Sequence, residues 1–328
     1  MAASPTVHYR TCNLCEAMCG IEISTLDTQI LSIKGDKQDP LSRGHICPKA
    51  TALQDLHEDP ERLRQPVEKV NGKWETISWE AAFEKTVAYL HAVQKKYGRD
   101  AIGTYFGNPN VHNLGSMLYG RELLHTLRTK NKFSATSVDQ LPHHIVAHKL
   151  FGHQLNIPVP DIDHCDHFLI IGANPVVSNG SVMTVPDVKK RLKDIQKHAG
   201  KVVVIDPRMT ETAQIASAYH PIKPGSDVLL LLAMLNTLFA EKLAKPGRLK
   251  DFMPEWNQLA IDVEPYTPER VAHETGISAA DIKQLVREFA NANAAVCYGR
   301  MGASVQTFGT LSQYLIMVFN ILNGRLDA

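Results

Sequence analysis

The stretch CNLCEAMCG, residues 12–20, places Cys12, Cys15 and Cys19 within eight residues of one another in a chain that holds six cysteines. The fourth member of the pattern is Cys47, in GHICPKA, after twenty-seven intervening residues. Zinc sites favour two separated C-x2-C pairs, because two short knuckles approach a tetrahedron from opposite sides. Three thiolates from one tight loop and a fourth from afar suit the separated corners of a [4Fe–4S] cube, and Pro48 after the last cysteine repeats a common feature of such runs. On spacing alone, zinc or reactive thiols without a cluster stay open as the alternative. Cys165 and Cys297 stand singly at or in apolar runs, where free cysteine usually serves as a small buried hydrophobe.

Outward from this loop, residues 1 to about 60 carry short β-like alternations such as GIEIST and ILSIKGD and no long helical period, which predicts a small ligand-dependent module over 1–60. From residue 61 to 328 the pattern becomes alternating helices and short apolar strands. Strands are expected at 101–107, 167–175, 201–208 and 294–302, each apolar without strict alternation, as for strands covered on both faces. Helices are expected from Ser78 to Gly98, over 185–200 and 227–243, and after a capping-box-like start at Ser278 and Asp281. The fold class is therefore α/β, a doubly wound, mostly parallel sheet preceded by a small β-rich module.

The 328 residues are 44% hydrophobic and 21% charged, enough for two domains, and thirty-five basic against thirty-four acidic side chains leave a formal charge of +1. That balance argues against nucleic acid or an anionic membrane surface as partner. The N-terminal stretch has neither an apolar core nor a twin arginine, so the cytoplasm is the expected compartment, and there six cysteines point to metal or chemistry rather than disulfides. The oily run from Val228 is too short for a membrane span and reads as a buried helix.

The cysteine pattern followed by CPK and an α/β body resembles the iron–sulfur-containing molybdopterin oxidoreductases, the family of formate dehydrogenases and periplasmic-type nitrate reductases. Three further stretches carry the likeness: LIIGANPVVSNG, VVVIDPRMTETAQIASAYHPIKPGSDVLLLLAML and GRMGASVQTFGTLSQYLIMVFNILNGRL. The resemblance implies Cys12, Cys15, Cys19 and Cys47 as cluster ligands, and Lys49 between cluster and pterin. It implies a molybdenum or tungsten bis(molybdopterin guanine dinucleotide) held in part by Asn108, Gly172, Asn174, Pro175, Asp206, Pro207, Arg208, Gly225 and Asp227. Chemistry agrees, since ligands of open α/β sheets lie beyond the carboxyl ends of strands, where these residues fall. Taken singly, Asp206 and Asp227 also read as ordinary turn and cap residues.

The segment FSATSVDQLPHHIVAHKLFG, residues 133–152, corresponds to the one that carries a cysteine, selenocysteine, serine or aspartate ligand to the metal in relatives. Counted from Asp139, the match lands near His144 and Ile145, and the usual thiolate is missing. Either a histidine replaces it, or the metal has only pterin sulfurs and non-protein oxygen, or the register differs by a few residues. His143 and His144 are the candidate catalytic residues, as ligand or proton donor, against the plainer reading of buried, hydrogen-bonded histidines. The mixed ligand types of DHCDH, 163–167, precede a strand whose side chains alternate faces and so predict no convergent site.

The resemblance thus implies a two-electron oxidoreductase, with oxygen-atom or hydride transfer at the metal, a small-molecule redox substrate and an electron-transfer protein or subunit as partner. It also implies further polypeptide after NGRLDA. The alternative is a non-catalytic iron–sulfur electron-transfer or scaffold subunit, like the related large subunit of respiratory complex I.

Overall fold

The computed structural model describes residues 4–253 and 255–326, which form two compact units, one up to Ala135 and one from Thr136 onward. Residues 61–135 group with the cysteine module in the first unit.

In the first unit, β1 (Thr6–Thr11), β2 (Gly20–Leu26) and β3 (Gln29–Gly35) form an antiparallel sheet in that order. The β1–β2 connection is the cysteine loop, closed by Cys12 N–H donating to Cys19 O at 2.8 Å. Cys12, Ala17, Cys19, Ile21, Ile33 and Ala50 make its small core. The short helix Leu53–Glu58 completes the outer edge of β3 at Ile30, whose N–H donates to Glu58 and whose carbonyl accepts from Gln54. A hairpin follows, β4 (Val67–Val70) and β5 (Lys73–Thr76), turned by Asn71 and Gly72, both with positive φ as such a tight turn requires. Helix α1 (Trp79–Tyr97) starts where Ser78 Oγ accepts from Ala81 N–H and stops at Gly98, the expected limits. Next come β6 (Thr104–Phe106), α2 (Leu114–Leu127) and β7 (Lys132–Ser134), with β6 and β7 paired in parallel.

The second unit holds α3 (Leu141–Phe151), β8 (His167–Ile171), α4 (Val188–Lys197), β9 (Lys201–Ile205), β10 (Ala218–His220), α5 (Asp227–Ala240), α6 (Pro268–Thr275), α7 (Ala279–Asn291), β11 (Ala295–Gly299) and α8 (Gly309–Leu322). Its four strands are all parallel, in the order β10-β9-β8-β11. Alternation across the pleat splits β8 and β9 between two cores. Leu169, Ile171, Val203 and Ile205 pack with apolar residues of α5, α6, α7 and α8, whereas Phe168, Ile170, Val202 and Val204 pack with Met183, Leu192 and Ile195. Each fully buried side chain of this kind stabilises the fold by about 1.5–3 kcal/mol.

The expected strands at 167–175, 201–208 and 294–302 are present but shorter, because Gly172 to Pro175, Asp206 to Arg208 and Arg300 to Gly302 have already left the sheet. The expected strand at 101–107 is β6 and pairs with β7 instead of joining the main sheet. The outer edge of β11 is closed by a side chain: Asn320 Oδ1 accepts from Cys297 N–H at 2.9 Å and Asn320 Nδ2 donates to Cys297 O at 2.8 Å. The amide imitates a neighbouring strand and leaves no pairing edge there. Among the described residues no helix is long and apolar enough to cross a membrane.

Candidate cluster and dinucleotide sites

The cysteine module brings the four expected thiols into one electrostatic neighbourhood. Burial pushes the Cys19 thiol up to about 11, and the sulfurs of Cys12, Cys15 and Cys47 push the same way. Burial likewise raises Cys12, helped by Cys15 and Cys47 and opposed by the Leu14 amide and the exposed Lys49 ammonium. Four soft sulfur donors that repel one another as thiolates fit a polynuclear iron cluster, whose cationic irons compensate them and displace their protons. No three His, Cys, Asp or Glu side chains among the described residues converge tightly enough for a single ion. Lys49 lies in the short helix Pro48–Thr51 directly after Cys47, within charge reach of Cys12. Asn108, also in the first unit, is exposed at the start of the 3-10 turn Asn108–His112.

In the second unit the other expected residues gather at the carboxyl ends of the strands. Gly172, just after β8, has φ +56, and a Cβ there would sit 2.5 Å from Ala303 N. Gly302 closes the same contact from the other side, its N–H donating to Gly172 O at 2.8 Å, so two chain segments meet where only glycine fits. Asn174 is tied down on both ends of its amide: Nδ2 donates to Glu211, and Oδ1 accepts from the Thr212 hydroxyl at 2.7 Å. Pro175 is buried at the start of a helical turn.

After β9, Asp206 Oδ1 accepts from Arg208 N–H at 2.9 Å across Pro207, and the Tyr219 hydroxyl donates to Asp206 O. Burial holds the Asp206 carboxyl above its ordinary range, against the pull of Arg208. Arg208 itself is exposed, leaning on Glu211 at 3.4 Å. Asp227 opens α5 and is buried, following Gly225 at φ +83. The cap position belongs to Ser226, which makes no side-chain cap bond, and the Asp227 carboxylate accepts from its own backbone N–H instead of occupying that position. Burial raises this carboxyl too, opposed by a 2.8 Å hydrogen bond from Gln306 Nε2, with a smaller push from Asp206. Gln306 carries no signal in the sequence beyond a glycine-rich neighbourhood, and it is the residue that sequence reading missed.

Helix α3 turns His143 and His144 inward. His143 Nε2 lies 3.0 Å from Gly299 O, and His144 Nδ1 lies 2.9 Å from Gln154 O. Burial first and the Arg300 charge second hold His143 down at about 4, so it is neutral at pH 7; the bond to a carbonyl then puts its proton on Nε2. Arg300, following β11, is 5% exposed, pairs with Asp139 and donates twice to Ser181 Oγ, at 2.8 and 3.1 Å. Ile145 instead lines an open groove of about 650 Å3 between α3 and residues 304–314. His148, one turn further along α3, is exposed.

Two family models match the chain: the molybdopterin oxidoreductase Fe4S4 domain over residues 6–58 and molybdopterin oxidoreductase over residues 62–324. The chain is 27% identical to a nitrate reductase of Symbiobacterium thermophilum over 97% of its own length and 43% of that protein. It is 28% identical to formate dehydrogenase H of Escherichia coli over 94% of its length and 44% of that protein. The chain thus spans less than half the length of these curated relatives. Acetylene hydratase from Pelobacter acetylenicus shares the fold, with a TM-score of 0.80 at 23% identity over 96% of this chain and 43% of that one. The two matched models together imply a [4Fe–4S] cluster and a molybdenum or tungsten bis(molybdopterin guanine dinucleotide), and the four thiols and the strand-end rim are donor sets of the right chemistry for them. With the family models covering both the cysteine module and the α/β body, the chain belongs to the molybdopterin oxidoreductase family.

Proposed function

We propose that this chain supplies the cluster module and a dinucleotide-binding α/β unit of a molybdenum- or tungsten-dependent oxidoreductase of the formate dehydrogenase and nitrate reductase kind. The bound groups supply two-electron redox chemistry and one-electron transfer. Cys12, Cys15, Cys19 and Cys47 hold the cluster, and Lys49 places a positive charge beside it that favours added electron density. Asp227, oriented by Gln306, accepts the paired N–H donors of a guanine edge. Gly172, Gly225, Asn174, Pro175, Asp206, Pro207, Arg208 and Asn108 shape and hold the remaining dinucleotide contacts. An electron-transfer protein takes or delivers the electrons at the cluster. In the resting protein His143 and His144 brace α3 through backbone carbonyls, and a neutral His143 is an acceptor through Nδ1.

The observation that carries this reading is the buried Asp227 carboxylate, aimed by Gln306 at the ligand end of the sheet in a chain that also groups four thiols. Its test is elemental analysis of anaerobically purified protein, expressed with the rest of its polypeptide where there is more. About four irons and close to one molybdenum or tungsten per chain are expected. Cys15→Ala should remove the cluster absorbance and its reducible EPR signal. The missing thiolate in 133–152 favours the second reading, an iron–sulfur scaffold subunit, and four irons with neither metal would establish that one instead.

A further inference from the structure

A cavity of about 320 Å3 runs along the outer edge of β11, lined by every residue from Asn293 to Gly299, by α8 and by the segment 157–161. A strand stretch of that length spans about 20 Å, so the space is elongated. Its volume falls within the range of small-molecule pockets, about 300–1,000 Å3. None of the residues assigned to the cluster or the dinucleotide lines it, and it is a site of its own. Val159, Asp161 and His164 are exposed and mark its open side. The charged groups of the lining are spent: Asp161 pairs with His164 at 2.9 Å, and Arg325 turns both Nη atoms onto the carbonyls of Ala290, Ala292 and Asn293 and encloses Nε. Inside, Asn320 spends its amide on Cys297 and Ile316 O, and the Tyr298 hydroxyl donates to Ser181 O. Gln313 differs. It is 4% exposed and lies against the carboxyl end of β11, where a Cβ on Gly299 would sit 3.4 Å from its amide. Nε2 donates to Ser304 Oγ at 3.0 Å and to Arg300 O at 3.5 Å, which fixes the amide and leaves Oε1 with no hydrogen bond among the described residues.

We propose that this cavity binds a small, elongated, uncharged molecule with an apolar body and, at its inner end, a hydroxyl or N–H group that donates to Gln313 Oε1. The body packs on Ile157, Val159, Val296, Ile316 and Met317. A ligand that only accepts leaves Oε1 buried and unpaired, which is costly. A carboxylate fares worse, because it sets one acceptor against another. An ammonium gives up its hydration in a lining with no free carboxylate to compensate it. The site shares no residue with the cluster or the dinucleotide rim, so this inference does not rest on the oxidoreductase reading.

The test is methyl NMR of the intact protein labelled at Ile and Met, titrated with n-hexanol and with its isomer methyl pentyl ether, which lacks the donor. Saturable shifts are expected at the Ile157, Ile316 and Met317 methyls, with hexanol binding about tenfold tighter than the ether, as one net hydrogen bond allows. Hexanoate and hexylammonium should leave these methyls unmoved at the concentration where hexanol saturates them. Gln313→Leu should abolish the preference for the alcohol while ether binding persists. Val159→Trp, at an exposed position on the open side, should weaken both. Equal binding of hexanol and ether by the wild type, tighter binding of hexanoate, or no saturable shift at the three methyls would each overturn the inference. The iron and molybdenum or tungsten contents decide the oxidoreductase reading separately, so either conclusion can fail alone.

Discussion

The guanidinium of Arg300 reaches back 161 residues along the chain to pair with Asp139, joining the end of β11 to the turn that launches α3. Ser181, from the loop after β8, accepts from the same guanidinium, so one buried cation ties three segments at the ligand end of the sheet. Removing one partner of a buried pair costs about 3–5 kcal/mol, and partial exposure of Asp139 lowers the expectation to about 2–3 kcal/mol for Arg300→Met. Arg300→Lys should recover little of it, because an ammonium cannot span Asp139 and Ser181 as a planar fork does. Urea denaturation midpoints check both.

Asn320→Leu should destabilise the second unit by about 2–4 kcal/mol, since it strands a buried N–H and a buried carbonyl at Cys297 that the side-chain amide now satisfies. The same variant reopens a sheet edge. Size-exclusion chromatography should show concentration-dependent association that wild type lacks.

His167, at the start of β8, is buried edge-on against Phe289 with Nε2 unpartnered, and burial lowers its pKa to about 4 from 6.5. The unfolded chain binds this proton first, so stability falls as pH drops from about 6.5 to about 4 and is flat below, by on the order of 3 kcal/mol in total. The nearby Glu288 opposes and Lys201 reinforces the shift. His167→Phe should flatten this part of the pH–stability profile measured by thermal melting.

Gln306→Leu removes the hydrogen bond that favours the ionised form of Asp227, whose carboxyl burial already raises. Its pKa should rise further, read by carboxyl NMR or infrared titration. Guanine-dinucleotide retention should fall, whereas the iron content of the first unit should not change.

Much of this was local chemistry and so was legible along the chain. The cysteine spacing, the caps at Ser78 and Ser278 and the apolar runs of β8, β9 and β11 each depend on residues a few positions apart. The strand-end residues Asp206 and Gly172 could be placed for the same reason. Their exact sheet boundaries could not, because a strand ends where its neighbour's pairing ends.

Other features were decided only by tertiary structure. β7 and β10 are three residues long and carry no periodic signal, and nothing in AIGTYFG announces that its partner is β7 rather than the main sheet. Gln306 meets Asp227 across 79 residues. In LPHHIVAHKLF, apolar and imidazole side chains surround the helix, so composition assigns no inward face. Packing of α3 against α8, with Arg300 holding Asp139, turns His143 and His144 inward and leaves Ile145 on the groove. The sequence by itself determined the donor types and their spacing, because these reside in side-chain identity and in residues a few positions apart. Which side chains of α3 turn inward was a rotation of one helix, and only long-range contacts set that angle.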